Sequence, residues 1–132
     1  MTTTLADVRL SLPARPENVA VVRHVLGAFG EPLELGRHRL EDVRLAVTEA
    51  CTNVVRHAYD RSDGPMDVDV RPLDDRLEVV VSDSGRGMAP SADRTGPGFG
   101  IPMMATLCDE LEIDRGAARG SRVTMCFHRG AA

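Results

Sequence analysis

Near the amino terminus, Val8, Leu10 and Leu12 alternate with Asp7, Arg9 and Ser11. A period of two marks a strand with one buried face, so residues 5–12 read as a first strand that Pro13 and Pro16 bring to an end. The period then lengthens. Residues 17–29 set Val21, Val25 and Ala28 on one side of a helix, which Gly30 and Pro32 stop. A longer helix follows over 35–59, where Leu40, Val43, Val47, Ala50, Val54 and Ala58 recur at helical steps. At about 100° per residue these six fall within roughly 80° of one another. Glu49, Asn53, Arg56 and His57 then lie along one flank of the apolar stripe.

The Asp63-Gly64-Pro65 sequence marks a turn, after which alternation returns. Met66, Val68 and Val70 oppose Asp67, Asp69 and Arg71, and residues 77–82 (LEVVVS) form the next strand. Residues 83–98 are a loop rich in Gly, Pro and Ser. Residues 99–110 read as a short helix that accommodates Pro102 only in its first turn. Strands over 111–114 and 121–128 close the pattern as a hairpin joined by RGAARG. The order β-α-α-β-β-loop-α-β-β predicts an α+β fold: a two-layer sandwich with a mixed, mostly antiparallel sheet and three helices on one face. The crossovers alternate too irregularly for a doubly wound parallel sheet. A length of 132 residues fits one domain over 1–132.

Composition narrows the chemistry. Hydrophobic residues make up 42%, enough for a core, but there are only three Phe, one Tyr and no Trp, so that core is aliphatic. No apolar run approaches the roughly 20 residues of a membrane span. The expected location is the cytoplasm, without membrane attachment. A net charge of −4, with no basic stripe interleaved with aromatics, speaks against direct nucleic-acid binding. All 16 basic residues are arginine, which excludes a P-loop lysine, a Schiff base and a lysine general base. Cys51, Cys108 and Cys126 sit in separate apolar segments and read as buried, reduced thiols, and the four His show no zinc-ligand spacing with them.

Three local features carry candidate chemistry. Glu49 and Asn53 stand one helical turn apart, an oxygen-rich pair suited to a general base and a neutral ligand for a hard cation. The strand ending in Asp83 runs into Gly85 and Gly87, where a carboxylate can accept from an exocyclic amine while the glycines let backbone approach a flat base. Gly96, Gly98 and Gly100 precede a helix and offer free amides to an anion, with Arg94 just upstream to complete a phosphate clamp. Each alone has an ordinary structural reading: a solvated helix flank, a glycine turn, a loop before a helix.

Taken in order, Glu-x-x-x-Asn, Asp-x-Gly-x-Gly and Gly-x-Gly-x-Gly resemble the asparagine box and two glycine boxes of the GHKL ATPases, which include gyrase, histidine kinases and MutL. The element order resembles their Bergerat fold across nearly the whole chain. The wording EACTNVVRHAY and RTGPGFGI is most similar to the bacterial anti-sigma-factor serine/threonine kinases. That resemblance implies ATP and Mg²⁺ as cofactors, with Asn53 holding the metal and Glu49 receiving the proton of an attacking serine. It implies that Asp83 binds the adenine amine and that Gly85, Gly87 and Met88 line the base. Gly96, Gly98, Phe99, Gly100 and Ile101 would form the phosphate-binding lid, and Arg94 would meet the γ-phosphate. Arg56 and His57 would border the phosphates. Pro97 departs from the family pattern and is expected to stiffen the lid and slow nucleotide exchange. Ser121, after Gly120, matches the family's usual strand start, from which adenine is in reach through a water; it is not counted among the site residues.

The implied activity is phosphorylation of a serine on a STAS-type anti-anti-sigma protein, with sequestration of a sigma factor and a homodimeric active form. An alternative is a nucleotide-gated anti-sigma or regulatory binding module with little or no phosphotransfer; the carboxylate of Glu49 favours the kinase. A detached histidine-kinase catalytic domain ranks last, because no phosphoacceptor helix pair precedes residue 1 and the lid is short.

Overall fold

The computed structural model describes residues 7–59, 63–85, 100–114 and 120–129. Its elements run β1 (Val8–Pro13), α1 (Pro16–Gly27), α2 (Arg37–His57), β2 (Pro65–Pro72), β3 (Arg76–Asp83), α3 (Gly100–Leu107), β4 (Glu110–Asp114) and β5 (Ser121–His128). The strands form one sheet in the order β1-β2-β3-β5-β4. The mostly antiparallel sheet expected from the pattern is antiparallel at all four described pairings.

Alternation decides which side of the sheet is buried. Met66, Val68 and Val70 of β2, Leu77, Val79 and Val81 of β3, and Val123, Met125 and Phe127 of β5 point into one core. α2 lies on β3 and β5, and it packs against α1 and α3; α1 also touches β1 and α3 touches β4. The opposite face is polar. There Arg9 pairs with Asp69 at 2.7 Å and Arg71 with Glu78 at 3.2 Å.

The long helix presents the expected stripe: Val43, Val47, Ala50, Val54 and Ala58 are buried, joined by Ala46 and Cys51. In α1 the expected phase is off by one position. Val22 and Leu26 are buried, whereas Val21 is 42% exposed. The sets 21-25-28 and 22-26-29 obey the same helical steps. The second wins because Leu26 and Phe29 remove more apolar area from water than Val25 and Ala28.

Pro16 opens α1 in its first turn, where its missing amide donor costs nothing. Pro102 is the third residue of α3, within the first turn, as its ring requires. Arg39, near the start of α2, anchors the far end of α3. It bonds the Leu107 carbonyl at 3.3 Å, pairs with Asp42 and Asp109, and lies 5.5 Å from the Phe127 ring centroid. The carboxyl end of α3 is thereby fixed beside the amino end of α2.

Candidate functional site

The flank of α2 that follows Arg39 and Asp42 continues upward through Ala46, Glu49, Asn53 and His57 at three- and four-residue steps. Glu49, Asn53 and His57 are half-buried, and Arg56 is exposed beside them. Among the described residues no hydrogen bond or ion pair ties down the Glu49 carboxylate or the Asn53 carboxamide. These are free oxygen donors at the margin of a core, one turn apart.

α2 ends against the sheet where β3 ends. The Ala58 carbonyl abuts Gly85 so closely that a Cβ at Gly85 would overlap it, so only glycine lets the chain pass. Beside Gly85 the Asp83 carboxylate is held at both oxygens. Its Oδ1 accepts the Gly85 amide at 2.9 Å, and its Oδ2 accepts the Ser121 hydroxyl at 2.6 Å. Gly120 donates its amide to the Gly85 carbonyl at 2.8 Å. It adopts φ +82°, with its α-carbon pressed on the Asp83 carbonyl, so a side chain here meets both backbone strain and overlap. A depression of about 420 Å³ opens at this end of the sheet, lined by Asp83, Ser84, Gly120 and Ser121 and, from the polar face, by Asp67, Ser82, Asp114 and Arg122. Neither Glu49 nor Asn53 lines it.

Asn53 and Glu49 stand five and nine residues before Ala58. At about 1.5 Å of rise per residue they lie roughly 7 and 13 Å along the helix from the Gly85 contact. The Asp83 carboxylate and the Glu49–Asn53 pair thus stand at either end of the last turns of α2. Among the described residues no three His, Cys, Asp or Glu side chains converge on a cation. A carboxamide with one nearby carboxylate suits Mg²⁺ that takes most of its ligands from phosphate and water.

Gly87, Met88, Arg94, Gly96, Gly98 and Phe99 lie outside the described residues; Gly100 and Ile101 open α3. The Ser121 hydroxyl binds Asp83 directly, a contact that the sequence did not disclose. The two face each other because β5 pairs with β3 in the register Asp83↔Ser121. Tyr59 received no role from sequence. Its hydroxyl accepts the Ser84 amide at 2.9 Å and donates to the Pro65 carbonyl at 2.6 Å. Its position at the end of a helix, just after His57 and Ala58, was the available signal.

Comparison with known proteins identifies the family of this fold. A family model described as the histidine kinase-like ATPase domain matches residues 12–127. A protein named serine-protein kinase RsbW from Bacillus pumilus is 31% identical, over 98% of this chain and 91% of its own length. The protein of the same name from Bacillus velezensis is 33% identical, over 86% of this chain and 81% of its own. Among solved structures, the RsbU and RsbW domains of a Mycobacterium tuberculosis protein superpose with a TM-score of 0.75 at 23% identity, covering 96% of this chain and 34% of that one. The Acinetobacter baumannii histidine kinase AdeS gives a TM-score of 0.56 at 15% identity, covering 96% of this chain and 70% of that one. At those identities the structural likeness speaks for the fold.

Proposed function

The chain belongs to the histidine kinase-like ATPase domain family, and from that footing we propose that it is an anti-sigma-factor serine/threonine protein kinase. In this reading it uses Mg-ATP to phosphorylate a serine of a STAS-type anti-anti-sigma protein. When not bound to that antagonist it sequesters a sigma factor, working as a homodimer in the cytoplasm. No helix among the described residues is long and apolar enough to cross a membrane. Relatives named serine-protein kinase support the reading along most of the chain.

The observation that carries it is Glu49, half-buried and without a partner among the described residues, one turn before Asn53. A domain that only binds nucleotide has no use for a carboxylate there. Asn53 would hold Mg²⁺, which neutralises phosphate charge when bound. Asp83, fixed at both oxygens, would accept the adenine amine. Gly85, Gly87 and Met88 would border the base. Arg94 would face the γ-phosphate, with Arg56 and His57 near the other phosphates and residues 96–101 as the lid. The serine oxygen would form its bond to the γ-phosphorus as the β–γ bridge breaks and ADP leaves, and the serine proton would pass to Glu49.

The deciding experiment is phosphotransfer from labelled Mg-ATP to STAS proteins of the same genome, with Glu49→Gln beside wild type. Label on one candidate that disappears in the variant supports the kinase. No label on any candidate, with ATP binding intact, leaves a nucleotide-gated binding module.

A further inference from the structure

The carboxyl end of α2 is fastened to the end of β3 at one small junction. The Tyr59 hydroxyl takes the Ser84 amide at 2.9 Å and gives its proton to the Pro65 carbonyl at 2.6 Å. Its ring lies on Gly64, where a Cβ would overlap the ring carbons. One residue earlier, the Ala58 carbonyl presses on Gly85. Ser84 sits between Asp83 and Gly85, whose amide binds the Asp83 carboxylate. Tyr59 follows Asn53 by six residues, so a single phenol joins the helix of the Glu49–Asn53 row to the turn that carries Asp83.

We infer that Tyr59 is a positioning residue for the base end of the nucleotide site, holding the Ser84 amide so that Asp83 keeps its place relative to Asn53. The inference deepens the nucleotide-site reading above and rests on it. A hydroxyl accepts and donates at once, so it serves an amide and a carbonyl together; phenylalanine serves neither. Burial pushes the Tyr59 phenol up from its ordinary value, Asp83 and Asp67 add to the rise, and the Ser84 amide opposes it. The phenol therefore remains a proton donor to Pro65 through the neutral range. Removing it frees the Asp83–Gly85 turn without removing any group that touches nucleotide. The predicted loss falls on base recognition.

The test compares wild type, Tyr59→Phe and Gly64→Ala by titration with Mg-ATP and Mg-GTP, and by amide hydrogen exchange at Ser84 without nucleotide. Gly64→Ala keeps the phenol, but its methyl displaces the ring. Both variants are expected to bind ATP about tenfold more weakly and GTP less than about threefold more weakly, with Ser84 exchange about tenfold faster. A purely structural role would lower Tm and speed Ser84 exchange yet leave the ATP-to-GTP ratio at the wild-type value, and that result overturns the inference. Wild-type preference for ATP that both variants keep overturns only the role of Tyr59. Wild type with no preference for ATP overturns the nucleotide-site reading, and this inference with it.

Discussion

Ser121 donates its hydroxyl to Asp83 across paired strand ends at 2.6 Å, and the Gly85 amide occupies the other carboxylate oxygen at 2.9 Å. Asp83 is thus oriented before any ligand arrives, and it lines the depression at the end of the sheet. Such preorganisation spares a ligand the cost of ordering the acceptor.

The two residues should separate in titration calorimetry with ATP. Asp83→Asn removes the charged acceptor and should weaken binding by roughly 1.5–3 kcal/mol, about 10- to 150-fold. Ser121→Ala leaves the acceptor and removes one of its two supports, for about 1 kcal/mol, roughly fivefold. A larger loss in Ser121→Ala than in Asp83→Asn would contradict this division of roles.

Between α1 and α2, Glu34 adopts φ 56°, the left-handed region that crowds a Cβ. Glycine adopts it freely, at some cost in unfolded-chain entropy. Glu34→Gly should therefore gain about 0.5–1 kcal/mol and raise Tm by roughly 2–5 °C, read by calorimetry. Glu34→Ala keeps the Cβ and should gain nothing.

Element order was legible, as were the Glu49–Asn53 pair on one flank of α2 and Asp83 at the end of β3, because each is local: a period of two or of 3.6, or a few residues at fixed spacing. What stayed hidden depends on distant parts meeting. The Asp83–Ser121 bond needs β5 beside β3, although α3 and β4 lie between them in the chain. The Tyr59 bonds need the end of α2 to meet Pro65 and Ser84 at once. The phase of α1 stayed hidden for another reason: two stripes satisfy one spacing, and the larger Leu26 and Phe29 decide between them.

That choice predicts opposite outcomes for adjacent valines. Val22 is 1% exposed and Val21 is 42% exposed. Val22→Ala removes two buried methyl groups and should cost about 2 kcal/mol once the cavity is counted. Val21→Ala should fall within about 0.5 kcal/mol of wild type, helped by the better helix propensity of alanine. A larger loss in Val21→Ala than in Val22→Ala in urea unfolding would restore the phase read from sequence.

Cys51 sits on the buried face of α2, and burial pushes its thiol up from 9.0 to about 12. A group whose folded value is raised keeps its full contribution below the unfolded value and loses it as pH climbs toward the folded one. Above pH 9 the unfolded chain releases a proton that the folded chain retains, so stability should fall by about 1.4 kcal/mol per pH unit from this residue alone. Cys108 and Cys126, also raised by burial, act in the same direction and remain in a Cys51→Ala variant. The informative quantity is therefore a difference. Urea unfolding at pH 8, 9.5 and 10.5 should show the variant less stable than wild type at pH 8, with the gap narrowing as pH rises. A gap that stays constant across the series would mean that the Cys51 thiol titrates alike in both states, and so that this face of α2 is open to water.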